Sequence, residues 1–110
     1  KDVLLTVDVQ GAATIRAQAA GEPEIRRALV TVFLTPSSLA ELEERLRRRG
    51  TDTEPVRRKR LSVARQEIAQ WRHFDYLVLS TTIAEDARRM QVIIEAEKLR
   101  QTRARPPAYD

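Results

Sequence analysis

Residues Leu29–Gly50 read LVTVFLTPSSLAELEERLRRRG, and the stretch changes period halfway along. Leu29–Leu34 is a run of apolar and β-branched side chains with the length of one buried parallel strand, closed by Thr35-Pro36. From Ser38 the spacing becomes helical. Leu39, Leu42 and Leu46 share a face, Ser38 with Glu41 forms a capping box, arginines fill the last turn where the helix dipole favours cations, and Gly50 supplies the stop. A strand followed by a capped helix is a βα unit, and it sets how the flanking sequence is read.

Upstream, Val3–Val7 is a second apolar run ending on Asp8, followed by VQGAATIRAQAAG. That segment places Ala12, Ile15 and Ala19 at helical spacing and stops at Gly21 and Pro23. Downstream, Thr53 is predicted to cap a helix with Glu54 and Pro55 in its first turn and with Val56, Ala64, Ile68 and Trp71 on its apolar side. Tyr76–Leu79 is a third buried-strand run. After a loop at 80–82, a capping box of Thr82 and Glu85 opens a helix whose apolar face is Ile83, Ala87, Met90 and Ile94. The tail RARPPAYD, 103–110, has no periodicity and two adjacent prolines, the pattern of a frayed end. The order β-α-β-α-α-β-α predicts an α/β domain with a parallel sheet.

A chain of 110 residues fits one small domain, and 42% hydrophobic with 33% charged residues describes a folded, helix-rich chain rather than a disordered one. The formal charge is +4, from 20 basic and 16 acidic residues. Nearly all the cations are arginine, whose planar forks suit phosphates and carboxylates. The absence of cysteine excludes a disulfide scaffold, a thiol nucleophile and a cysteine-ligated zinc, and agrees with a reducing cytoplasm. No apolar run approaches the roughly 20 residues of a membrane span, and no signal peptide is visible. The sequence opens KDVLL, without Met and directly on a strand-like run, which reads as an internal fragment.

The densest charge lies in RRRGTDTEPVRRKR, Arg47–Arg60. Two helices meeting at a short turn would let Arg45, Arg49, Arg57 and Arg60 converge on one polyanion. The alternative is a solvated face whose arginines pair with Glu41, Glu43, Glu44 and Glu54 one turn away, each pair contributing about 0.2–0.5 kcal/mol. Nucleic-acid binding ranks below both, because acidic residues interrupt the run, stacking aromatics are few and no recognition motif occurs. Asp8 stands at the end of a strand-like run, where ligands gather in open parallel sheets; its alternative role is a helix N-cap. His73, the sole histidine, has no partner in sequence reach and reads as a surface or helix-end residue. Ser37, Ser38 and Ser62 lack a nucleophile-elbow pattern.

The segments DVLLTVDVQGA, LTPSSLAELEERLRRRGTDTE, RRKRLSVARQEIAQW, FDYLVLS and AEDARRMQVIIEAEKLR resemble, in order and spacing, the C-terminal half of guanylate kinases, over residues 2 to about 103. The resemblance implies a partial P-loop nucleoside monophosphate kinase fold, with core at 1–37 and 69–103, a helical lid at 38–68 and a frayed tail at 104–110. It implies an enzyme that moves the γ-phosphoryl group of ATP, with Mg2+, onto GMP. Arg49 and Arg60 match the catalytic arginines that reach the transferring phosphates, leaving Arg48, Arg57 and Arg58 as solvated charge. Arg45, Ser80 and Thr81 match ATP-binding positions, and Asp8 matches the GMP and magnesium side; no direct metal ligand is assigned. The partners implied are ATP and GMP, with no nucleic acid and no membrane.

Departures accompany the match. Thr6 stands where the family usually has an Asp, and Ser80-Thr81-Thr82 replaces Asn-Asp-Asp. No G-x-x-x-x-G-K-[ST] loop occurs in these residues, nor does the family's GMP-binding subdomain. In the family fold the strand before that loop lies between those matching Val3–Val7 and Val30–Leu34, so the resemblance implies a sheet without its central strand. Unpaired edges favour self-association. The chain alone is therefore expected to be inactive. The other readings are a non-catalytic guanylate-kinase-like protein-binding module, suggested by the lost acids, and, more distantly, a small basic RNA-binding protein.

Overall fold

The computed structural model describes residues 4–100 and 104–109. They form two units, one of Thr31–Arg89 and the other of the segments before and after it. In the first-named unit, β1 (Val32–Pro36) leads through α3 (Leu39–Arg49), α4 (Glu54–Glu67) and a 3₁₀ segment (Ile68–His73) to β2 (Tyr76–Ser80), which enters α5 (Ile83–Lys98). The other unit holds α1 (Val9–Ala20), α2 (Pro23–Ala28) and the C-terminal part of α5.

The α/β reading holds: β1 and β2 pair in parallel, with Val32 opposite Tyr76 and Pro36 opposite Ser80. Such a pair needs a long crossover, which α3 and α4 supply. Asp75 fixes the start of the ladder. Its carboxylate accepts from Thr31 N at 2.8 Å and Thr31 Oγ1 at 3.1 Å, while its own N–H donates to Thr31. Phe33 and Phe74 add a tilted ring contact at 5.1 Å.

Cover falls on one face of β2. Val78 and Ser80 are buried, whereas Leu77 and Leu79 are 43% and 44% exposed. The predicted strand was buried on both faces, as parallel strands are when helices cover both sides. Among the described residues only one side receives that cover.

Four further expectations change. Leu4–Val7 forms no strand, and its leucines are exposed; it has no ladder partner among the described residues, and an apolar run becomes a strand only by pairing. Val3 lies outside the described residues. Pro23, read as a stop, instead opens α2 from its first turn, where the missing N–H is harmless. The helix after Thr53 ends at Glu67 and tightens into the 3₁₀ segment, so Trp71 and Ile68 stay largely exposed rather than forming a buried side. Ile83 is likewise exposed.

Helix ends explain the rest. Ser38 Oγ accepts from Glu41 N at 3.0 Å and Thr82 Oγ1 from Glu85 N at 3.1 Å, so each box forms its serine or threonine half. The glutamates turn instead to Arg45 and Arg88. Thr53 occupies the N-cap of α4 without a side-chain cap bond. Pro55 at the second helical position has no N–H to offer, which removes one of the two donors a cap can use. Gly50 ends α3 with φ +67°, the left-handed conformation that lets the chain reverse towards α4. Residues 104–109 form neither helix nor strand.

Candidate functional site

The basic cluster resolves into two kinds of arginine. Arg47 pairs with Glu43 at 2.6 Å, Arg48 loosely with Glu44 at 3.7 Å, and Arg58 with Glu54 at 3.6 Å. These are pairs along one helix face with the acid N-terminal to the base, the favourable order. Arg49 and Arg60 do otherwise. Arg49 Nη2 donates to Asp52 Oδ2 at 3.0 Å, and Arg60 Nε lies 3.2 Å from that same oxygen. Arg49 comes from the last turn of α3 and Arg60 from α4, so two guanidinium groups from two helices meet at one carboxylate oxygen.

Arg57 is not solvated charge. Its side chain is only 21% exposed, donates to the Asp52 carbonyl at 2.8 Å, and pairs with Glu54. The Arg57 guanidinium, by hydrogen bond and then by charge, holds the Glu54 carboxyl below its ordinary value. Arg57 thus stiffens the turn that presents the other two.

One helical turn before Arg49, about 6 Å along the axis, Arg45 ties α3 to the end of β2. Its Nη1 donates to Ser80 Oγ at 3.0 Å, and its Nη2 to the carbonyls of Ser80 at 2.8 Å and Thr81 at 3.2 Å. Its Nε meets Glu41 Oε1 at 3.2 Å. Asp86, from the first turn of α5, closes the network by accepting from Ser80 Oγ at 2.6 Å and Thr81 N at 3.0 Å. The Ser80 hydroxyl, then the Thr81 amide, lower the Asp86 pKa from its ordinary 3.8. Arg89 adds a bond to the Leu79 carbonyl at 2.7 Å. The three residues Arg45, Ser80 and Thr81 are brought together at the C-terminal end of a parallel strand, the edge where open sheets bind ligands.

Asp8 is described within the other unit, where it caps α1: Oδ1 accepts from Gly11 N at 2.6 Å. A Cβ at position 11 would stand 3.1 Å from that oxygen and 3.2 Å from Val7 Cβ, so the Asp-Val-Gln-Gly turn needs its glycine for this close approach. The cap engages Oδ1. Among the described residues no three acids or histidines gather as a metal cage. A divalent ion bound through one carboxylate and phosphate oxygens needs no such cage, so a single carboxylate is compatible with an ion carried by a phosphate ligand. His73 ends the 3₁₀ segment, exposed, as expected.

Asp52 and Asp86 escaped the sequence reading. Asp52 sits inside what looked like a mere break between helices, and Asp86 is six residues from the serine it holds. The one available signal was an acid flanked on both sides by arginine-bearing helices.

The fold defines an α/β unit: a parallel strand pair with an arginine-bearing helical excursion between its two strands. The family is specific: a family model described as guanylate kinase matches residues 1–97, and the chain belongs to the guanylate kinase family. It is 37% identical over 110 residues to a guanylate kinase of Rhizobium meliloti (strain 1021), covering all of this chain and 47% of that protein. The guanylate kinase of Lactobacillus delbrueckii subsp. bulgaricus is 43% identical over 97 residues, 88% of this chain and 44% of its own length. That of Syntrophus aciditrophicus (strain SB) is 39% identical over 103 residues, 94% and 46% respectively. The chain spans less than half the length of these curated relatives. No helix among the described residues is long and apolar enough to cross a membrane.

Proposed function

We propose that this chain is the arginine-bearing part of a guanylate kinase, a cytoplasmic enzyme of purine nucleotide metabolism that transfers the γ-phosphoryl group of MgATP to GMP. The observation that carries the reading is the convergence of Arg49 and Arg60 on one oxygen of Asp52, while Arg47, Arg48 and Arg58 pair along their own helices. A site already built to hold two guanidinium groups around one anionic oxygen suits a phosphoryl group. A non-catalytic binding module has little use for that geometry.

Phosphoryl transfer depends on positioning and charge neutralisation more than on covalent help. Arg49 and Arg60 would take the transferring phosphoryl oxygens from opposite sides, with 38–68 moving as a lid that excludes water. Arg45 and Asp86 fix the Ser80–Thr81 loop, which would lie beside the adenine in place of the family's Asn-Asp. Asp8 would stand on the GMP and magnesium side, with no direct metal ligand assigned; a bound magnesium would screen phosphate charge.

The chain lacks a phosphate-binding loop, so purified chain should not phosphorylate GMP. Joined to the part of the Rhizobium meliloti relative that it does not match, it should do so, and Arg49→Met or Arg60→Met should lower turnover roughly 10²–10³-fold. Turnover by the chain alone, or unaltered turnover in the arginine variants, would refute the reading.

A further inference from the structure

Asp52 is the least exposed ionic group of the basic cluster, its side chain 10% accessible between two guanidinium groups that are each about half exposed. Its Oδ2 is shared by Arg49 and Arg60, its carbonyl is held by Arg57, and Arg49 Nε is turned onto the neighbouring Thr51 Oγ1 at 3.2 Å. Both the backbone and the carboxylate of one residue are therefore gripped by arginines of the two helices. Without that carboxylate the two cations would repel each other across an exposed turn and separate into solvent, each as an independent long side chain.

We propose that Asp52 is a positioning residue: it holds Arg49 and Arg60 as one two-guanidinium unit that takes an incoming polyphosphate on its exposed side. The identity of that ligand rests on the function proposed above; the coupling of the two arginines does not. The Arg60 side chain is 52% exposed beside Asp52, so its guanidinium can also reach a second anionic oxygen from solvent. A preorganised pair loses less freedom on capturing a polyphosphate than two separate side chains would.

Two readings of the residue predict opposite signs. If Asp52 merely competed with phosphate, Asp52→Asn would bind polyphosphate more tightly, helped by a net charge that rises by one unit from +4. If Asp52 positions the pair, the same variant binds inorganic tripolyphosphate about tenfold more weakly despite its extra positive charge, and Asp52→Glu recovers part of the loss.

The test is titration of the full 110-residue chain with tripolyphosphate, alongside Nε–Hε NMR spectra of the ligand-free arginines. The expected spectrum has an Arg60 Nε–Hε signal displaced from those of Arg48 and Arg58 by the nearby carboxylate, a displacement that Asp52→Asn removes with the backbone amide spectrum otherwise retained, and that Arg49→Lys alters. Tighter or unchanged tripolyphosphate binding in Asp52→Asn overturns the proposal. So does an Arg60 signal indifferent to both substitutions. If the wild-type chain takes no tripolyphosphate, the lid function falls while the Arg60 signal still decides whether Asp52 couples the pair. Should Asp52→Asn fail to fold, the Arg49→Lys spectrum reads the same link from the other side.

Discussion

Replacing Arg45 with methionine keeps most of the apolar stem and removes the guanidinium that joins α3 to the end of β2. Three hydrogen bonds go, two to Ser80 and one to Thr81, with the Glu41 pair. Bonds to a charged donor contribute about 1.5–3 kcal/mol each when buried, but this side chain is 30% exposed, so water recovers part of the value. Thr81 is exposed and can turn to solvent; Ser80 is buried and loses two hydrogen bonds, keeping its bond to Asp86. About 1 kcal/mol for each Ser80 bond, with less for the others, gives a loss of about 2–3 kcal/mol. The single tryptophan, Trp71, lies in the same unit and reports its unfolding by fluorescence. With a urea dependence of about 1 kcal/mol per molar for so small a unit, the midpoint should fall by about 2 M. Arg48→Met is the matched control. Its pair is 3.7 Å long with both partners largely exposed, so its midpoint should move by less than about 0.5 M. Arg45→Lys should recover only a minor part, because an ammonium cannot span three acceptors as a planar fork does. Equal midpoints for the Arg45 and Arg48 variants would show that the guanidinium network carries no stability and that the strand-end geometry has another cause.

Gly50→Ala should destabilise the α3–α4 turn by about 1–2 kcal/mol through its φ of +67° alone, since the nearest atom to the added methyl is Arg47 O at 4.0 Å; Gly50→Asn should cost less, read from the same urea curves. Asp86 has a lowered pKa, so its contribution is present above its ordinary 3.8 and is lost as pH falls through the lower folded value; melting of Asp86→Asn should trail wild type at pH 7 and converge with it in strong acid. The exposed Leu77 and Leu79 face should drive self-association: sedimentation of the chain should show concentration-dependent mass, and Leu77→Thr with Leu79→Thr should reduce it.

Local chemistry decided what sequence could declare about this protein. The helices α1 and α3 were legible because caps, stops and apolar spacing act within one or two turns, as at Ser38 and Gly50. The strands β1 and β2 were legible as apolar runs with parallel pairing implied by the helices between them. Family membership was legible too, since the Asp-Val-Gln-Gly-Ala and Arg-Gly-Thr-Asp-Thr-Glu segments keep their order and spacing. Pairing was not local. Val3–Val7 and Leu29–Leu34 look alike as sequence, but an apolar run is a strand only where another backbone meets its N–H and C=O groups; among the described residues only the second acquires such a partner, from Val32 onward, and the ladder runs on through Thr35 and Pro36, which the sequence reads as its end. The same holds for charge. Seven basic residues between Arg47 and Arg60 are nearly interchangeable in the sequence, and the tertiary turn divides them. Of the six arginines among them, three pair along their own helices, Arg57 braces the backbone, and Arg49 and Arg60 meet at Asp52, because a guanidinium's partner is set by which helix the reversal at Gly50 brings within reach.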